Sequence, residues 1–470
     1  METFDVAVIG AGPGGYPAAI RAAQLGASVA LVEKEQLGGT CLNWGCIPTK
    51  ALLAAAGAFA QISHAEARGI TVQGAAVDWP ALLGHKDKVI GQLRHGIKQL
   101  LAANGVKLFT GAASFQDRHT LGIGDATAIG AGKVIIATGS TSARPAFLPQ
   151  HERVVESRGF LDLDRLPRTL LVLGGGFIGC ELACLAAMLG VKVTLVELLE
   201  DILLLLDADV RREVRAQFEK RLGLRVLTGK ALENITADAG GVRGSFGGEL
   251  LAADLLLCAV GRQPVTDGLQ LAHAGLAANE RGFIETDDYC RTRAATIYAV
   301  GDVTGKTQLA HYATAQGITA AENALGPKPR QHETLVPNVI FTSPEIGTVG
   351  LSEEDARKQN RAVRTAKFRL AGLGKALAVG ETTGFVKWIA DAATDQLLGA
   401  AAVGSRATEL IAEAAVAIRA EFTARELGRT IHAHPTFSEA WMEAAQVLQG
   451  EAIHAPPKRA PSPGPRRGPA

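Results

Sequence analysis

At 470 residues the chain is longer than one hydrophobic core supports, and at roughly 100–200 residues per domain it is expected to form three or four. Apolar residues make up 47% and charged ones 20%, and 48 Lys and Arg nearly cancel 47 Asp and Glu. That balance offers nothing to nucleic acid and points to small molecules or another protein as the ligand. Six cysteines in a chain this long do not make a secreted disulfide scaffold, so a working disulfide in a reducing compartment would be a catalytic one.

Met1 is followed almost at once by the strand-like run Phe4 to Ile9, which leaves no room for a signal segment. No apolar stretch is expected to reach the roughly 20 residues that span a bilayer, since Ile202 to Leu206 is cut off by Asp207 and Asp209. A cytoplasmic protein without a membrane partner is the expectation.

The strand Phe4 to Ile9 runs into Gly10-Ala11-Gly12-Pro13-Gly14-Gly15, an alanine-rich helix to about Gly26, and a second strand, Ser28 to Val32, that ends in Glu33. This is a βαβ dinucleotide fingerprint. Gly10 allows the tight turn, Gly12 lets backbone approach a diphosphate, Gly15 lets helix pack on strand, and Glu33 accepts from ribose hydroxyls. The diphosphate would sit on the helix N-terminus. The pattern recurs with strand Thr169 to Leu173, then Gly174, Gly176 and Gly179, a helix to about Gly190, strand Lys192 to Val196, and Glu197. Each landmark lies 164 positions after its counterpart. One such motif is a weak signal; two at a constant interval predict two dinucleotide sites. The buried strand leading into Thr138, Gly139 and Ser140 follows the first copy, and Leu255 to Gly261 echoes it after the second, as closing strands would. Pro-containing linkers are expected near Arg144-Pro145 and Gln263-Pro264.

Between the fingerprints, Gly38 to Lys50 holds Cys41 and Cys46 in the run Gly-Gly-Thr-Cys-Leu-Asn-Trp-Gly-Cys-Ile-Pro-Thr-Lys. In a regular helix residues five apart stand roughly 8–9 Å apart, beyond the roughly 4.4–6.8 Å a disulfide tolerates, so Gly45 would have to let the backbone tighten. At a helix start both sulfurs would feel the positive end of the dipole, which favours thiolate. Zinc is the rival reading, but with no second Cys/His pair nearby this is a poor four-ligand site, and no metal is expected. Cys180, Cys184, Cys258 and Cys290 lie in apolar contexts and read as buried small hydrophobes.

After Leu335, strand-like runs such as Phe385 to Ile389 alternate with an amphipathic helix near Glu409 to Arg419, as in an α+β domain. In His432-Ala433-His434-Pro435-Thr436-Phe437-Ser438-Glu439 a carboxylate five residues after an imidazole could form an acid/base pair, although alone such a pairing is often incidental. From Ala455 the Pro- and Arg-rich tail is expected to be disordered.

The run Gly38 to Lys50 resembles the redox signature of the class I pyridine nucleotide–disulfide oxidoreductases, and the likeness extends to about Gly450. The resemblance implies an α/β fold with two Rossmann-like domains, for FAD and NAD, and a C-terminal α+β dimerisation domain. It implies residues 1–143 for the first part of the FAD domain, 144–264 for NAD, 265–333 for a central FAD-completing part, 334–454 for dimerisation and 455–470 for the tail. The cysteine matching Cys46 faces the flavin as a charge-transfer thiolate, the one matching Cys41 exchanges with substrate, and Lys50 lies near the flavin and pairs with Glu181. FAD would meet Gly10, Gly12, Gly15, Glu33, Lys50, Thr138, Gly139, Ser140, Asp302, Leu309 and Ala310; NAD would meet Gly174, Gly176, Gly179, Glu197 and Gly261. His434 would be the base and Glu439 its orienter, completed across a homodimer, with His432 non-catalytic.

Glu197 would repel a 2′-phosphate, favouring NAD, and no cysteine follows Cys290. Within the family this favours members that oxidise protein-bound dihydrolipoamide, with lipoyl-domain proteins of 2-oxoacid dehydrogenase complexes or the glycine cleavage system as partners. The alternatives are an NADH-dependent reductase of another disulfide and a non-catalytic flavoprotein subunit. Tyr312, where many such members carry lysine, and Trp44 beside the cysteines are departures that bear on the substrate.

Overall fold

A computed structural model describes residues 1–62 and 65–456. They form two compact units: Met1–Ile202 with Leu222–Thr334, and Leu203–Arg221 with the described residues from Leu335 onward. Most of the expected tail, residues 457–470, lies outside the described residues; Ala455, which was assigned to it, instead packs against the core of the second unit.

The first unit holds two sheets whose parallel strands follow the same plan. In one, Glu2–Ile9 lies between Val29–Glu33 and Thr127–Ile136, all parallel, with Lys107–Thr110 outside Val29–Glu33. Ile297–Ala299 pairs with Thr127–Ile136 in parallel, and Thr120–Ile123 and Ala113–Phe115 extend the sheet antiparallel. Val6 to Ile9 and Leu31 are almost wholly buried, as expected of parallel strands covered on both faces. The other sheet runs Arg225–Thr228, Lys192–Glu197, Thr169–Leu173, Leu255–Cys258, Val154–Glu156. The expected linker at Gln263-Pro264 is itself a strand: Arg262–Pro264 pairs antiparallel with Ser140–Ser142, so the chain passes between the sheets on a two-stranded ribbon.

Among the described residues one stretch, Gly39–Ile62, is long and apolar enough to cross a membrane, contrary to the sequence expectation. It is two helices, Gly39–Trp44 and Cys46–Ile62, broken at Gly45. The second packs beside Trp79–Ala103 and Phe177–Met188 and carries Lys50 in an ion pair with Glu181.

The second unit is a five-stranded antiparallel sheet, ordered Asn338–Ile340, Glu345–Gly350, Leu397–Gly404, Gly384–Asp391, Val363–Arg369. Helices Ala407–Arg419 and Glu439–Gln449 lie on it, and Trp388 and Trp441 pack with their rings tilted by 48° and 4.6 Å between centroids. Each indole N–H reaches a backbone carbonyl, Trp441 O and Leu410 O respectively, both at 3.0 Å, so neither large side chain leaves a donor unmet in the core. The separate segment Leu203–Arg221 is tied in by charge. Lys387, 0% exposed in the middle of a strand, donates to Asp207 at 2.6 Å, Asp209 at 3.0 Å and Glu353 at 2.9 Å. Those three carboxylates lie close enough to hold a metal ion, but the lysine ammonium already stands among them.

Candidate active site

The two glycine turns repeat each other in detail. Gly10 and Gly174 take φ of +97° and +110°, and a side chain at either would press to 2.4 Å on a carbonyl of the closing strand, Ala137 O and Ala259 O. Only glycine meets both demands. A Cβ at Gly15 or Gly179 would collide with the carbonyl of the first glycine, at 1.7 and 2.0 Å. The middle glycines differ: Gly12 has only Gly39 Cα near, at 3.8 Å, and Gly176 has nothing within 4 Å. Open space therefore faces each middle glycine. No side chain caps the helices Gly15–Gln24 and Phe177–Met188, and neither has an acidic residue in its first turn. These are fitting cradles for a diphosphate. Glu33 accepts from Ala11 N at 2.7 Å and Glu35 N at 2.8 Å; Glu197 accepts from Gly175 N at 2.6 Å and Leu199 N at 2.8 Å. Each carboxylate oxygen keeps a further lone pair for a ribose hydroxyl.

Cys41 and Cys46 are free thiols on either side of the helix break. Gly45 leaves the helical region, at φ −139° and ψ −107°, and a Cβ there would lie 3.0 Å from Thr40 O. The sequence reading placed both sulfurs at one helix start; only Cys46 is there, as the first residue of Cys46–Ile62, while Cys41 belongs to the short helix before it. The two sulfurs are also unequal in acidity. The hydrogen bond from Cys41, with Lys50 nearby and against the effect of burial, lowers the Cys46 thiol to about 7. The same bond, with burial, pushes Cys41 far up. Lys50 Nζ donates to both oxygens of buried Glu181, at 3.0 and 2.8 Å, so the ammonium is held beside the pair by an acid on the second fingerprint helix.

Two further residues, one inside the Gly38–Lys50 run and one far from it, hold the short helix. Asn43 donates to Leu37 O at 3.0 Å and Gly39 O at 2.9 Å, and Arg94 donates to its Oδ1 at 2.6 Å. Beside them the Arg158 guanidinium lies 3.9 Å over the Trp44 ring and pairs with Glu35 at 2.8 Å.

At the closing strand, Thr138 donates to Val265 O at 2.6 Å, Gly139 O accepts from Val265 N at 3.0 Å, and Ser140 donates to Asp302. Arg262, missed in the sequence, joins Ser140 and Asp302. Leu309 and Ala310 stand at the start of helix Ala310–Leu325, which no side chain caps. Tyr312 is buried in that helix, its hydroxyl 3.2 Å from His332 Nδ1 and its ring edge-on to the imidazole at 5.7 Å, so it serves packing there.

In the second unit, His434 Nδ1 meets Glu439 Oε1 at 2.9 Å, while Glu439 Oε2 accepts from Thr436 N at 2.7 Å. The imidazole is 75% exposed and the carboxylate 15%. Burial opposes ionisation of Glu439, but the Thr436 amide and His434 outweigh it and hold the group below its ordinary value. A fixed carboxylate on Nδ1 leaves Nε2 as the face for a reacting proton. His432 is engaged elsewhere, with Glu413 at 2.6 Å and Thr430 O at 2.9 Å.

Two dinucleotide cradles and a polarised thiol pair define an oxidoreductase that passes an electron pair between a dithiol, FAD and NAD. The chain belongs to the pyridine nucleotide-disulphide oxidoreductase family: residues 4–317 match its main domain and residues 336–445 its dimerisation domain, which supports a homodimer. The dihydrolipoyl dehydrogenase of Chlamydia muridarum is 42% identical over 463 residues, covering 97% of this chain and 99% of its own. That of Thermus scotoductus is 43% identical over 461 residues, with the same coverage. Among solved structures, the HOCl-induced flavoprotein disulfide reductase RclA of Escherichia coli superposes with a TM-score of 0.86 at 30% identity, over 94% of this chain and all of its own.

Proposed function

We propose that the protein oxidises protein-bound dihydrolipoamide to lipoamide and reduces NAD⁺ to NADH. The observation that carries this reading is the unequal thiol pair, one sulfur made acidic at the expense of the other; the full-length likeness to dihydrolipoyl dehydrogenases supports the substrate. In the resting enzyme Cys41 and Cys46 form the disulfide. One thiolate of the substrate attacks Cys41, the Cys41–Cys46 bond breaks, and its electron pair stays on Cys46. The second substrate thiolate then displaces Cys41 from the mixed disulfide and closes the lipoamide ring. The acidity of Cys46 makes it the better leaving group. FAD bound in the first cradle and NAD⁺ in the second supply the two-electron acceptor chemistry, with NADH as the product.

His434 and Glu439 act in this proposal as the base that takes the substrate's protons, contributed by the opposite chain of the homodimer. Lys50, fixed by Glu181, holds positive charge beside the Cys46 thiolate. Residues 1–143 and 265–333 form the FAD part, 144–264 the NAD part and 334–454 the dimerisation part. The partners are lipoyl domains of 2-oxoacid dehydrogenase complexes or the glycine cleavage system, and the compartment is the cytoplasm. A second reading, an NADH-driven reductase of another disulfide, draws on the likeness to RclA. Steady-state rates with dihydrolipoamide and NAD⁺, set against NADH with a panel of disulfides, separate the two. Faster turnover of any panel disulfide than of lipoamide would sink the first reading.

A further inference from the structure

Arg262 follows Gly261 directly and stands on the ribbon between the two sheets, two residues of register from Ser140. Its Nε donates to Ser140 Oγ at 2.7 Å and its Nη2 to Ser140 O at 2.6 Å, while Nε lies 3.6 Å from Asp302 Oδ2. Because the Ser140 hydroxyl accepts from Arg262, its hydrogen is free to go only to Asp302, and it does. The chain of bonds therefore has one direction, from guanidinium through hydroxyl to carboxylate. It commits Asp302 Oδ2 and leaves Oδ1 as the acceptor. Only about a seventh of the Arg262 side chain is exposed, at 14%, and Asp302 is 23% exposed, so water screens this pair less than a surface one.

We propose that Arg262 is a flavin-positioning residue. Through Ser140 it fixes the rotation of the Asp302 carboxylate that holds the FAD sugar chain, and its charge offsets that carboxylate beside the flavin. The proposal rests on the reading of Ser140 and Asp302 as part of the FAD site. A charge-assisted two-pronged grip of this kind is specific to arginine, since lysine supplies the charge without the fork.

The test is FAD titration of apoprotein and the flavin midpoint potential measured against a reference dye, for wild type, Arg262→Gln and Arg262→Lys. Arg262→Gln is expected to weaken FAD binding about tenfold or more, the usual effect of losing a hydrogen bond to a charged group. It should also move the potential to more negative values, because reduced flavin gains negative charge next to a carboxylate no longer offset. Arg262→Lys should recover much of the potential and little of the affinity. A merely structural role for the ribbon would leave the potential in place. Should Arg262→Gln fail to fold, Ser140→Ala, which removes only the intervening hydroxyl, must shift the potential the same way. Unchanged affinity and potential in these variants overturn the proposal, whereas wild-type protein that takes up no FAD at all would overturn the underlying functional reading instead.

Discussion

Cys41 donates its thiol hydrogen to Cys46, and that one bond drives the two acidities in opposite directions. The long-wavelength band expected of the two-electron-reduced flavoprotein needs the Cys46 thiolate. It should fade as pH falls through about 7, since below that value the sulfur is protonated. Cys41→Ala removes the donor, so its midpoint should lie at higher pH, and Cys46→Ser should show no band. A pH titration of the absorbance reads all three; a wild-type band in Cys46→Ser would dismiss the assignment of that sulfur.

Glu197 closes its turn on Gly175 N as Glu33 does on Ala11 N. In the proposed NAD site that fixed carboxylate would accept from a 2′-hydroxyl and repel a 2′-phosphate. Glu197→Ala should narrow the ratio of specificity constants for NAD⁺ over NADP⁺ by roughly tenfold or more. Native enzyme that prefers NADP⁺ would refute the argument before any mutation is made.

His434→Gln should slow dithiol oxidation by roughly 10²–10⁴-fold, the usual contribution of a general base, and leave reduction of the flavin by NADH largely intact. Stopped-flow absorbance separates the two half-reactions. If the site is shared between chains, mixing this variant with Cys41→Ser under subunit exchange restores activity, because one site in each heterodimer keeps both groups. No recovery despite demonstrated exchange contradicts the sharing.

Lys387→Met should be far more damaging than an ordinary surface lysine change, by about 3–5 kcal/mol, because it takes the buried cation from Asp207 and Glu353 and leaves Asp209 with Lys367 alone. Chemical denaturation followed by tryptophan fluorescence measures it. Calcium added to the variant should return part of the loss, since the carboxylate oxygens lie within 4.8 Å of one another. A wild-type midpoint would show that the buried ammonium contributes nothing.

The nucleotide turns were legible because the first and third glycines of each, Gly10, Gly15, Gly174 and Gly179, stand where any side chain would strike a backbone carbonyl, and such demands leave their mark at fixed spacing. Gly45 was legible for the same reason. The break it makes was not placed correctly: the sequence reading kept both cysteines on one helix start, whereas the chain ends one helix before Gly45 and begins another at Cys46. Arg262 and Arg94 were invisible, because each acts through a partner far along the chain, Ser140 being 122 positions from Arg262 and Asn43 being 51 from Arg94. A side chain whose meaning lies in a distant contact carries no local pattern. Lys387 was hidden in a further way: within an apolar strand it reads as an interruption, and only the folded unit brings three acids to it.

The short segment Leu203–Arg221 makes the boundary of the second unit discontinuous along the chain. A recombinant fragment starting at Leu335 would contain Lys387 and Glu353 but neither Asp207 nor Asp209, so an ammonium would sit in an oil-like interior with one counter-ion instead of three. A fragment ending at Thr334 would carry the two orphaned aspartates. Cutting the polypeptide where the family's domains meet in sequence therefore damages both pieces, and a transplantable version of the second unit would need that far-off helix spliced onto its front end.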